Sequence, residues 1–69
     1  MHTLCTYQIE VCGLAGEEEL NALSPLAVTV IRADPAATIF TICSDQSGLV
    51  GLIRHLHGWG FLLLSVTRK

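Results

Sequence analysis

Apolar and polar positions alternate at the start of the chain. Cys5, Tyr7, Ile9 and Val11 interleave with Thr6, Gln8 and Glu10, a period of two that predicts a strand over residues 3–12. Gly13 ends it. Residues 16–23 then carry Glu17, Glu18 and Glu19 ahead of Leu20 and Leu23, three apart and on one face. Acidic residues suit the positive end of a helix dipole, so a short helix is predicted. Pro25 bars its extension, because the residue before proline avoids the helical region.

Residues 26–32 are rich in β-branched side chains and predict a second strand. Ala33, Asp34, Pro35 and Ala36 form turn chemistry, and residues 37–43 predict a third strand, antiparallel to the second. Ser44 or Asp45 then caps a helix whose Leu49, Leu52, Ile53 and Leu56 make one apolar stripe. Gly58 and Gly60 supply the stop. Residues 61–67 predict a last strand, apolar on both faces in its first half and therefore expected to be covered on both.

The order is β-α-β-β-α-β. Each βαβ half takes a right-handed crossover, and two interleaved halves give a four-stranded antiparallel sheet with both helices on one face. This is the ferredoxin-like arrangement, an α+β class, with the first and third strands central. The whole chain reads as one domain, without repeat or linker. Phe40 and Ile42 share one face of the third strand, and Ile39, Thr41 and Cys43 share the other. Neither face is strongly polar.

Composition sharpens this picture. The chain has 69 residues, 51% hydrophobic and only 14% charged, with a mean hydropathy of +0.54. A domain this short buries only about 60% of the surface its unfolded chain exposes, so apolar surface is expected to remain, and exposed apolar patches mark interfaces. A homo-oligomer is the leading expectation, with Phe40, Ile42 and Trp59 as interface candidates. Trp59 reads first as cover for the end of the core, with the interface as its second reading. The net charge of −2 excludes a basic footprint for nucleic acid, as does the shortage of aromatics beyond Tyr7 and Phe40 on the central strands. The longest apolar run, Phe61 to Leu64, is far short of the ~20 residues of a spanning helix. No membrane partner and no secretory leader are predicted, and three cysteines, an odd number, argue against a disulfide framework. A reducing, cytoplasmic setting is expected.

Two resemblances appear. Tyr7, Ile9, Val11 and Gly13 make a Tyr-x-Ile-x-Val-x-Gly opening. Asp45 through Arg54 read Asp-Gln-x-x-Leu-x-Gly-Leu-Ile-Arg, and Leu63 to Val66 read Leu-Leu-Ser-Val. Over most of its length the chain thus resembles small bacterial proteins to which no activity attaches; these carry tryptophans where this chain has Glu17 to Asn21. More distantly, the segment from Thr38 to Val66, with Asp45, Gly48 and Leu49 at its strand-to-helix turn, is similar to ACT-type regulatory domains. That resemblance implies the fold and an amino acid or related small ligand, held across a dimer interface. In ACT domains the motif lies in the first βαβ half, whereas here it lies in the second.

The backbone N–H groups at the turn of Gly13 and Gly16, and at the helix start of Asp45 and Gly48, are the candidate ligand contacts, since such groups hold anions. Capping is the competing reading at Asp45. Cys5, Cys12, Cys43, His2, His55 and His57 lack paired metal-ligand spacing. The cysteines read first as small buried apolar residues, with Cys12 and Cys43 both at the ends of central strands. His55 and His57 read as a solvated helix face. No catalytic set of nucleophile, base and orienting group emerges, and no cofactor is implied. An association module leads, with an ACT-like small-ligand sensor second.

Overall fold

The computed structural model describes residues 4–69; Thr3, the first residue of the expected strand, and the histidine candidate His2 lie outside the described residues. Six elements follow in order: β1 (Cys5–Cys12), α1 (Glu17–Leu23), β2 (Thr29–Ala33), β3 (Ala37–Ser44), α2 (Gln46–Gly58) and β4 (Leu63–Arg68). They form one antiparallel sheet in the order β2-β3-β1-β4, so the fold is ferredoxin-like, with β1 and β3 central.

The pleat sends Tyr7, Ile9 and Val11 of β1 to the helix side, where Ile9 and Val11 are fully buried. Ile9 lies opposite Phe40 and Tyr7 opposite Ile42, so β3 presents Phe40 and Ile42 to the same side. There they meet Leu20 of α1 and Leu49, Leu52 and Leu56 of α2. The stripe read in the sequence is therefore the contact face of α2. Asp45 caps this helix by accepting a hydrogen bond from Gly48 N at 2.8 Å.

α2 ends in a Schellman motif. Gly60 takes a left-handed φ of 85°, Phe61 N donates to Leu56 O at 3.0 Å and Gly60 N donates to His57 O at 3.1 Å. Gly60 alone makes the turn, and Gly58 is still helical. Phe61 then packs against the core beside β4.

Two strands start later than the pattern predicts. Residues 26–28 do not join the sheet, because the Asn21 amide takes both backbone groups of Val28: Val28 N donates to Oδ1 at 2.8 Å, and Nδ2 donates to Val28 O at 2.9 Å. β4 begins at Leu63, and its pairing with β1 shifts between Glu10 and Val11, which leaves Leu64 without a partner in the register. A second shift interrupts β2 between Val30 and Arg32. Each shift breaks the regular ladder where it falls and leaves the rest of the strand regular.

Candidate functional site

The four candidate ligand contacts do not meet. Cys12 lies opposite Ala37 and Cys5 opposite Ser44, so the turn after β1 and the turn after β3 lie at opposite ends of the sheet. Gly13 and Gly16 are at one end, and Asp45 and Gly48 at the other. The antiparallel pairing of β1 with β3 forces this separation.

Three backbone donors at these turns are already bonded within the chain. Gly13 N donates to Ala36 O at 3.0 Å, and Ala15 N donates to Thr38 Oγ1 at 2.9 Å. Thr38 Oγ1 donates in turn to Gly13 O at 2.7 Å. Thr38 is fully buried, so this hydroxyl stitches the turn to β3 from inside. At the other end Gly48 N is held by the Asp45 cap. Gly48 has a packing role as well, since a Cβ there would run into Ser44 Oγ.

The interface candidates divide. Phe40 and Ile42 are in the core, not on an open face, which corrects the expectation for both. Parity alone allowed either face, and the helices cover the Phe40 face. The open face carries Thr6, Gln8 and Glu10 on β1, Ile39, Thr41 and Cys43 on β3, and Ser65 and Thr67 on β4. It is mainly polar, against the sequence reading, and Ser65 Oγ approaches Glu10 Oε1 at 3.4 Å. Trp59 is exposed at the end of α2, with its ring centroid 5.4 Å from that of His55, and does not cover the core.

Cys12 and Cys43 are exposed and Cys5 half-buried, all as free thiols, so the expectation of buried cysteines holds for none of them fully. Cys12 and Cys43 sit at opposite ends of the open face rather than together. Among the described residues, no three His, Cys, Asp or Glu side chains converge on a point that would hold a metal ion. No helix among them is long and apolar enough to cross a membrane.

Exposed apolar residues are spread over the surface, with Leu4, Leu14, Leu23, Ile31 and Val50 among them, and their longest run is at β4. Every residue of this strand is exposed, including Leu63, Leu64 and Val66, and Leu62 just before it is 63% exposed. Sequence reading expected cover on both faces of the first half of this segment; the structure half-buries Phe61 against the core but leaves Leu62, Leu63 and Leu64 exposed, because β4 is an edge strand. Between α2 and β4 lies a cleft of about 410 Å³, lined by Ile53, Arg54, Leu56, His57, Phe61, Leu62 and Leu63.

The two edges of the sheet differ. On β2, Val30 N donates to Glu17 Oε2 at 2.8 Å, so a carboxylate from α1 occupies the edge. On β4, Lys69 N donates to Thr6 O at 2.8 Å, which turns the backbone of Lys69 toward β1. Antiparallel alternation then turns Ser65 and Thr67 toward β1 and points the N–H and C=O groups of Val66 and Arg68 outward. The candidate site is this edge with its flanking leucines.

Compared with models of known families, with curated proteins and with solved structures, the chain matches none.

Proposed function

We propose that this domain is a non-enzymatic association module that binds a second copy of itself. One observation carries the reading: among the exposed apolar residues, which also include Leu4, Leu14 and Ile31, the longest run in sequence is at one edge of the sheet, where Leu62, Leu63, Leu64 and Val66 are 36–63% exposed. Contiguous apolar surface of this kind on a small domain marks an interface. A homodimer explains the high apolar content without any ligand. A reducing, cytoplasmic setting fits exposed free thiols at Cys12 and Cys43.

Light scattering across a dilution series tests the reading. A mass twice that of the chain at micromolar concentration, falling on dilution, is expected. A constant monomer mass throughout would refute it.

A small-ligand sensor of ACT type is the second reading. It is favoured by the α2–β4 cleft, whose volume falls in the range of roughly 300–1,000 Å³ typical of ligand pockets. Arg54 at its rim offers a partner for a carboxylate. The turn residues Gly13, Gly16, Asp45 and Gly48 do not line this cleft, so this reading replaces them with Arg54 and its apolar neighbours. A ligand that binds the native state raises the melting temperature. Thermal shift against each of the twenty amino acids is the check, and a flat response to all of them counts against the sensor.

A further inference from the structure

We infer that two copies join by antiparallel pairing of β4 with β4, centred on Val66, to make one continuous eight-stranded sheet with both helix layers on the same side. This rests on the association reading above and names the surface and the register.

Three observations select it. First, β4 is the edge available for pairing. On β2 the Val30 N–H is already taken by Glu17, whereas β4 pairs regularly with β1 from Ser65 to Arg68, beyond its own register shift. A β4–β2 contact is thereby blocked, which removes the head-to-tail arrangement that would build an open chain of copies. What remains is the two-fold contact of β4 with itself.

Second, the outward backbone groups fall where a two-fold axis needs them. Val66 and Arg68 point their N–H and C=O groups away from β1. With the axis at Val66, that residue faces its own copy and exchanges two hydrogen bonds with it, while Arg68 lies across from Leu64 of the second copy. The opposed residues have the same parity, so Val66, whose side chain shares the helix side with Ile9, meets the other copy's Val66 on that side.

Third, charge chooses among the registers. Arg68 and Lys69 are the only charged residues at this edge. Centred on Val66, the two Arg68 residues are offset by four positions, roughly 13 Å at strand rise. That exceeds the ~8 Å screening length at physiological ionic strength. Centred on Thr67, the offset falls to two positions, roughly 7 Å, and the like charges repel. Registers displaced the other way bring the irregularity at Leu64 closer to the axis, whereas centring on Val66 keeps it at the end of the paired segment.

An interface of ordinary size takes about 800 Å² from each partner, just under a fifth of the 4395 Å² this chain exposes. The strand pairing supplies direction and register. Leu62, Leu63 and the apolar wall of the α2–β4 cleft flank the seam and supply the area.

Val66→Pro is the decisive variant. It removes an N–H that makes no bond within the sheet, at an edge position where proline is tolerated. The expected result is a mass reduced from dimer to monomer, with the far-ultraviolet circular dichroism unchanged. Amide exchange of the unaltered protein gives a second readout: the Val66 and Arg68 amides are slowed when dimeric and exchange freely on dilution. A dimer that survives Val66→Pro, or whose Val66 and Arg68 amides exchange freely, overturns this pairing and leaves self-association through another surface. A chain monomeric at all concentrations overturns both. If the proline variant does not fold, the exchange of the unaltered protein decides.

Discussion

At the scale of single residues, Thr38 shows how a polar side chain can serve a core. Its hydroxyl accepts from Ala15 N and donates to Gly13 O, with no exposure to water. Thr38→Val keeps the shape but removes the hydroxyl, leaving Ala15 N and Gly13 O without it. A buried donor or acceptor left unsatisfied costs roughly 1–3 kcal/mol. The variant should therefore lose about 2–3 kcal/mol, read as a lower urea midpoint at an unchanged slope. A period-two pattern cannot announce this residue, because a threonine in a strand reads the same whether its hydroxyl is bonded or solvated. The same blindness affects Asn21, whose amide holds Val28 out of the sheet. Val28 is β-branched and apolar, so it reads as strand, while the side chain that diverts its backbone lies seven residues away.

At the scale of elements, α2 was legible except for one residue of its stop, since Gly58 stays helical. Its stripe, its Asp45 cap and its glycine stop all reappear as packing, hydrogen bonding and a Schellman turn. The two terminal glycines nevertheless separate sharply. Gly60 has φ +85°, so Gly60→Ala forces a left-handed conformation on a residue with a Cβ and should cost about 1–2 kcal/mol. Gly58 is helical with open space where a Cβ would go, so Gly58→Ala should stabilise by up to about 1 kcal/mol. Thermal or urea unfolding of the pair should give shifts of opposite sign. The β2–β3 turn makes a pH prediction. Asp34 Oδ1 accepts from the backbone N–H groups of Ala37 and Ala36, each at 2.9 Å. These bonds, Ala37's first, and the nearby Arg32 charge hold the carboxyl below its ordinary value, against a smaller opposing effect of desolvation. A carboxyl depressed in the folded state stabilises above its unfolded pKa, and the contribution is lost as pH falls through the folded value. Asp34→Asn should flatten the acid limb of the stability profile, and carboxyl titration by NMR should place Asp34 below a free aspartate. Legibility ended at the choice of face. Both faces of β3 carry isoleucine, so nothing in that strand says which one meets the helices. Likewise an apolar run such as Leu62 to Leu64 is silent on whether anything covers it.

At the scale of the whole molecule, the pattern and its order were enough for the ferredoxin-like topology, while the candidate site was not. Function-bearing contacts depend on which end of the sheet each turn reaches and on which edge is already occupied, and both follow only from the antiparallel register. If two chains join as inferred, folding and association are linked, and the melting temperature should rise with protein concentration. A melting temperature independent of concentration over a hundredfold range would speak against that linkage. The exposed thiols add a consequence for anyone handling the protein. Cys12 and Cys43 lie opposite Ala37 and Thr6, six residues apart along neighbouring strands, roughly 20 Å at strand rise. A disulfide spans Cα atoms no more than about 7 Å apart, so in air these two thiols can oxidise only between molecules. A stored sample would then accumulate covalent pairs through the polar face, with the mass of a dimer and none of its β4 seam. Fresh reductant is what separates the reversible species from that counterfeit.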